Sequence, residues 1–299
     1  MSIVVVGTVA YDTIYTPINQ ATDVLGGSAT YFSFASSFYS KTKVIAKVGE
    51  DFTKKHLQLF HKHNINTDGI EILQGKTFRW KGKYSQNLNE RTTVETQLNV
   101  LKDLNISIPK SYLSCNILFL ANIDPEIQLK VLSQIKSAEF IAMDTMNFWI
   151  VSKIDLLKKL FKKIHLLCIN ESEAELLSGK NNIVKAAREI RKLGPAVVVI
   201  KRGSYGAILF YDDNICSVPA YPLEEVVDPT GAGDSFAGGF LGYLNKTKKY
   251  TMPNLRKALA YGNIIASFAV EDFSINKLSS INKADIKNRY LTFKKISSI

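Results

Sequence analysis

Short, nearly continuous apolar runs recur along this chain, with segments of helical spacing between them. The runs fall at Ile3–Val6, Lys43–Val48, Ile117–Ala121, Phe140–Trp149, Leu166–Ile169 and Val197–Ile200. Strands of a parallel sheet read this way because helices cover both faces and leave no wet side. The alternation of run and helix through residues 115–193 predicts a doubly wound α/β fold with a mostly parallel central sheet. One region breaks the pattern. From about 69 to 100 polar and apolar residues alternate, as in Lys76–Tyr84 and Glu90–Leu98, around a polar turn at Ser85–Asn89. A period of two marks strands with one face in water, and predicts a small sheet laid over a pocket. A small-residue helix over 254–270 and a Lys-rich tail over 275–299 close the chain. No repeat, low-complexity tract or Pro/Gly linker interrupts it, so residues 1–299 read as one domain with the lid as an excursion.

In an open parallel sheet, ligands bind beyond the carboxyl ends of the strands. Polar residues there are site candidates. Asp12, in a loop after the first strand, is either a ligand for substrate or an Asx turn. Asn122, Asp144 and Asn147 follow later strands in the same way. The segment Gly7-Thr8-Val9-Ala10-Tyr11-Asp12 lacks the second and third glycines of a dinucleotide fingerprint. Gly26 and Gly27 let a ligand approach bare backbone, and Ser28 or Thr30 can cap the helix that follows. Asn170 and Glu173 have the spacing of a capping box on a short helix ended by Gly179. Hard oxygens at that spacing also suit Mg²⁺ held largely through water. Arg79 is either a solvated lid charge or a contact to an anionic substrate.

The densest chemistry lies in Asp228-Pro229-Thr230-Gly231-Ala232-Gly233-Asp234-Ser235-Phe236-Ala237-Gly238-Gly239-Phe240. The first amides of a helix lack internal acceptors and sit at the positive end of its dipole. Gly231, Ala232 and Gly233 would present such amides to an anion, with the Asp234 carboxylate beside them. A donor cradle next to a base suits deprotonation of a hydroxyl while charge builds on a transferring phosphoryl group. A plain helix cap by Asp234 or Ser235 is the structural alternative.

This string closely resembles the C-terminal signature of the PfkB (ribokinase-like) carbohydrate and nucleoside kinases, and the resemblance extends over nearly the whole chain. It implies a ribokinase-like three-layer α/β/α fold, with a lid formed mainly by about 69–100 plus the 12–25 region. It implies Asp234 as catalytic base and Gly231, Ala232 and Gly233 as the anion hole. Substrate would meet Asp12, Gly26, Gly27 and Asn122. Tyr31 departs from the family, which usually has Asn there; its ring would stack on a substrate ring or narrow the pocket. ATP would lie along Asn170, Glu173, Lys201, Gly203 and Asn263, with Glu173 positioning Mg²⁺. Lys201-Arg202 stand where many relatives have Thr-Leu, and Asn263 is otherwise a buried, satisfied amide. Asp228 and Thr230 match positions associated with a monovalent cation in some relatives.

Composition narrows this reading little. Apolar residues make up 46% and charged residues 22% of 299, as in an ordinary globular enzyme. No apolar run approaches the ~20 residues that span a bilayer. Cys115, Cys168 and Cys216 have no metal-ligand spacing and read as buried thiols of a cytoplasmic protein. His56, His61 and His63 read as exposed residues of a Lys-rich helix. The net charge of +11 is scattered over most helices, which argues against a nucleic-acid partner. The resulting expectation is an ATP-dependent kinase acting on a hydroxyl of a sugar, with Asp234 ionised at neutral pH. A nucleoside acceptor and a non-catalytic sugar- or nucleotide-binding regulator are the alternatives. Open lid edges make a homodimer through the lid a further expectation.

Overall fold

The computed structural model describes residues 2–88 and 90–297. Asn89 of the expected lid turn and residues 298–299 of the expected tail lie outside the described residues. The chain begins at β1 (Ser2–Val6) and leaves at once for the hairpin β2 (Ala10–Tyr15) and β3 (Gln20–Gly26). It returns through α1 (Ser28–Ser37), β4 (Lys41–Gly49), α2 (Lys54–Lys62) and β5 (Ile65–Leu73), then departs again as β6 (Arg79–Tyr84) and β7 (Arg91–Gln97). Strand and helix then alternate: β8 (Ile117–Leu120), α3 (Pro125–Gln134), β9 (Phe140–Met143), α4 (Asn147–Ser152), α5 (Ile154–Phe161) and β10 (Leu166–Asn170). The series continues with α6 (Glu171–Ser178), α7 (Ile183–Lys192), β11 (Val197–Lys201), β12 (Ala207–Tyr211) and β13 (Asn214–Val218). Four helices finish the chain: α8 (Ala232–Thr247), α9 (Met252–Ala269), α10 (Asn276–Ser280) and α11 (Lys283–Ser297).

Among the described residues nine strands form the central sheet, in the order β13-β12-β11-β10-β9-β8-β1-β4-β5. All neighbours pair in parallel except β11–β12 and β12–β13. Alternate residues of one strand serve opposite cores. Ile3 and Val5 pack with α1, α8 and α9, whereas Val4 and Val6 pack with α3, α5 and α7. The expected three layers follow from that alternation.

Helices α1 and α8 lie unusually close. A methyl group added at Gly238 would meet the Phe32 carbonyl oxygen at 2.5 Å, and one at Gly242 the Ser36 Cα at 3.1 Å. Their close packing sets the glycine pair before α1 and the glycines before α8 at the same end of the molecule.

The second sheet has the order β3-β2-β6-β7, with β2 and β6 parallel. Three sequence expectations change here. Asp12 lies on β2 and not in a loop, opposite Trp80 of β6. The lid does not begin at 69: residues 69–73 belong to β5, which pairs with β4 in the main sheet and buries Ile65, Thr67 and Gly69. The Phe140–Trp149 run is a strand only to Met143. Asp144 and Thr145 then break away, and Asn147 opens α4.

Candidate active site

The site gathers at the carboxyl ends of β1, β9, β10 and β11, under the inner face of the small sheet. At its floor, Gly231 takes φ +74°, a conformation that costs other residues about 1 kcal/mol or more, and begins α8 without any side-chain cap. The capping alternative for Asp234 and Ser235 therefore falls away. Among the described residues no protein acceptor takes the amides of Gly231 or Gly233, while the Ala232 amide reaches the Pro229 oxygen at 3.2 Å. The cradle is thus built from two free donors and one weakly engaged one. Tyr31 explains its shape. The ring is buried and lies so close against Gly231 that no Cβ could be accommodated there. Tyr31 hence packs under the Gly231 loop, where the sequence offered either stacking on a substrate ring or narrowing of the pocket; Ser28 and Thr30 do not cap α1.

Charge is concentrated around this loop. Lys201 Nζ would lie 3.1 Å from a Cβ on Gly233, and it pairs with Asp144 Oδ2 at 2.6 Å. Asp144 is 4% exposed, so this pair is held out of water. Burial, followed by the Asp144 charge, pushes Asp234 up to about 7, with Lys201 and Arg91 pulling the other way. The expectation of a fully ionised Asp234 at neutral pH is corrected accordingly. Asn170 and Glu173 form the reciprocal capping box: Asn170 Oδ1 accepts from the Glu173 amide at 2.8 Å, and Glu173 Oε2 accepts from the Asn170 amide at 2.7 Å. Glu173 is itself pushed up to about 7 by burial and by Asp144.

Asp12 lies against Gly26, and burial raises it to about 7 against the Gly27 amide, which favours its charged form. Asp228 is fully buried. Its Oδ1 accepts from the Thr230 amide at 2.8 Å, whereas Oδ2 has no partner among the described residues. Burial raises it to about 6. The Thr230 hydroxyl meets the Tyr84 hydroxyl of the lid at 3.0 Å.

Other candidates stand apart from this cluster or are already engaged. The Asn122 side chain accepts from Trp149 Nε1 at 3.1 Å and turns toward Met146 Sδ. Asn263 donates to the carbonyls of Val218 and Pro219, at 3.2 and 2.9 Å, tying α9 to the end of β13. Arg79 pairs with Asp51 at 2.9 Å and Asp23 at 3.4 Å, and so braces the lid. Gly203 starts an exposed turn after β11 with φ +54°. Asn147 is exposed at the start of α4. His56 is half-buried against the Tyr11 hydroxyl at 3.2 Å, and no metal-ligating cluster occurs among the described residues.

Trp80, Tyr84, Arg91 and the Asp144–Lys201 pair are what the sequence reading missed. Trp80, Gly82 and Tyr84 alternate along β6, but period two alone does not say which face turns inward.

The pfkB family carbohydrate kinase model matches residues 2–281. The chain belongs to that family. A cytidine kinase from Thermococcus kodakarensis is 34% identical over 251 residues, covering 81% of this chain and 88% of that protein. The nucleoside kinase of Methanocaldococcus jannaschii superposes with a TM-score of 0.79 at 20% identity, over 97% of this chain and 98% of its own. A fructokinase from Vibrio cholerae gives 0.80 at 17% identity, over 97% and 98%. These likenesses confirm the ribokinase-like fold. As a pfkB kinase the chain is an ATP-dependent phosphotransferase acting on a hydroxyl of a sugar or nucleoside. Kinases of this family use ATP, usually with Mg²⁺. No helix among the described residues is long and apolar enough to cross a membrane.

Proposed function

We propose that the acceptor is a nucleoside, held by its ribose at Asp12 and by its base on the lid. The observation that carries this is Trp80. It stands opposite Asp12 in the β2–β6 register, its indole lies over Gly82, and its Nε1 donates to Thr93 Oγ1 at 3.2 Å. A flat ring on the pocket face beside the carboxylate proposed to hold the ribose suits a heteroaromatic base. The likeness to a cytidine kinase supports the same class.

In the proposed reaction Asp234 accepts the proton of the attacking hydroxyl, whose oxygen bonds to the γ-phosphorus as the bond to the β-phosphate oxygen breaks. The amides of Gly231, Ala232 and Gly233 receive the charge on the transferring group. Lys201 holds a phosphate beside Gly233, with Asn170, Glu173 and Gly203 along the nucleotide. Mg²⁺ would neutralise the phosphates when bound; the Glu173 carboxyl beside Asp144 fits an ion held through water. The orphaned Asp228 Oδ2 fits a monovalent cation, with Thr230 adjacent. Three buried free thiols suit a cytoplasmic setting. The exposed side chains of the β7 edge suit a homodimer through the lid.

ADP release measured across nucleosides, ribose, fructose and sugar acids tests the reading. We expect nucleosides to exceed free sugars by at least about tenfold in kcat/KM, and Trp80→Leu to erase most of that preference. Equal or better turnover of a free sugar would return the assignment to a sugar kinase.

A further inference from the structure

We propose that Tyr84 is a positioning residue for the transfer, whose hydroxyl grips Thr230 and sets the Gly231–Gly233 donors only when the small sheet is seated on the body. Lid and cradle are then one device. The proposal rests on the acceptor lying under the small sheet, whatever its chemical class.

The contact joins two distant parts of the chain. Tyr84 ends β6, and Thr230 immediately precedes Gly231 at the start of the cradle. Their hydroxyls meet at 3.0 Å across 146 residues of sequence, and each residue is 7% exposed. A buried polar pair of this kind is held to one geometry, because water cannot replace a lost partner. Burial pushes the Tyr84 hydroxyl up to about 12, so it keeps its proton at neutral pH. Arg91, opposite Tyr84 in β7, favours the charged form as a donor would. Thr230 does the same for Asp228 against the burial that raises it. Donation therefore runs one way, from Tyr84 to Thr230 to Asp228.

Thr230 is the handle by which the lid can hold the cradle. On the body side the amides of Val227 and Asp228 reach the Val270 oxygen at 2.9 and 3.3 Å, and the Thr230 amide reaches Asp228 Oδ1 at 2.8 Å. Those bonds fix where the loop begins, and the Tyr31 ring fixes what lies beneath Gly231. Tyr84 adds the hold from above. The same strand also meets the acceptor pocket. Trp80 lies four residues back on one face of β6, folded over Gly82 and opposite Asp12 of β2. With β2 on one side and β7 on the other, β6 moves as a stiff bar. An acceptor drawn against Asp12 and Trp80 therefore seats Tyr84 on Thr230, and an empty pocket leaves that contact unforced.

The test is a set of near-isosteric changes, Tyr84→Phe, Thr230→Val, both together, and Thr230→Ser, assayed with a hydroxyl compound that the wild type phosphorylates. Free sugars serving as well as nucleosides would refute the nucleoside assignment and leave this test intact. Each single loss of a hydroxyl should lower kcat about 3- to 10-fold, because a buried group is left without its partner. The double variant should be no slower than either single, since an apolar pair of the same shape leaves neither side unsatisfied. Thr230→Ser keeps the hydroxyl and should stay within about twofold of wild type. Calorimetry with a non-hydrolysable ATP analogue gives a readout independent of turnover. Without acceptor the analogue should bind wild type and Tyr84→Phe alike, whereas the tightening that acceptor confers on it should shrink about 3- to 10-fold in the variant. Unchanged kcat in Tyr84→Phe, losses that add in the double variant, Thr230→Ser as slow as Thr230→Val, or an analogue affinity that falls equally with and without acceptor would each overturn the proposal.

Discussion

Replacing Asp144 with Asn should move the acid limb of the pH–rate profile to lower pH, and replacing Lys201 with Met should move it higher. The base must be ionised to accept a proton, so activity rises with pH through its pKa. With Asp234 held at about 7 by burial and Asp144, about one base in ten is ionised at pH 6, and kcat/KM should fall about tenfold per unit below that. Asp144→Asn removes the raising charge and also frees the Lys201 ammonium to act on Asp234 alone. A neighbouring charge of this kind is worth about 1–3 units. Because Asp144 is already matched by Lys201, we expect the low end, about one unit, or about 1.4 kcal/mol. Lys201→Met works the other way, but by less. The unmatched Asp144 will itself take up a proton in its dry surroundings, which limits the upward move to about half a unit. The assay is kcat/KM from pH 5 to 9, which reports the free enzyme. Asp234→Asn supplies the control: the limb should vanish and the plateau should drop by about 10²–10⁴. Movement of both variants in the same direction, or in neither, would refute the reasoning. The limb would then belong to Asp12 or Glu173, which burial also holds at about 7.

Gly231→Ala should cut kcat by at least about a hundredfold, since the new methyl collides with the buried Tyr31 ring and displaces the donors; near-normal turnover would show that the cradle tolerates the shift. Potassium chloride should raise the melting temperature above that in choline chloride by several degrees, and Asp228→Asn should abolish the difference; identical curves for the wild type would remove Asp228 Oδ2 from consideration as a cation ligand.

Local motifs were legible and tertiary pairings were not. The cradle, its carboxylate and the Asn170–Glu173 box are each confined to a few consecutive residues, where spacing alone dictates the geometry. Asp144 and Lys201 meet only because β9 and β11 flank β10, a fact of strand order that no local window contains. Arg79 looked available until Asp51 and Asp23 claimed it, and Asn263 until two carbonyls did. Asp12 follows the first strand as expected, yet it pairs into the small sheet, because its partner Trp80 comes from a distant part of the chain that no local window contains. Alternation in β6 was visible, but its inward face became known only through the Tyr84–Thr230 contact.

The small sheet has a consequence for how acceptor choice can change. Its two middle strands come from widely separated parts of the chain and are zipped together, Asp12 opposite Trp80. With the acceptor held between them as proposed, no single contiguous cassette encodes selectivity. Grafting a relative's 79–97 segment alone would set a foreign ceiling against a native anchor, and the hybrid would recognise neither ligand well. Exchanging both pieces, 10–26 together with 79–97, is the smallest transplant that preserves their mutual fit.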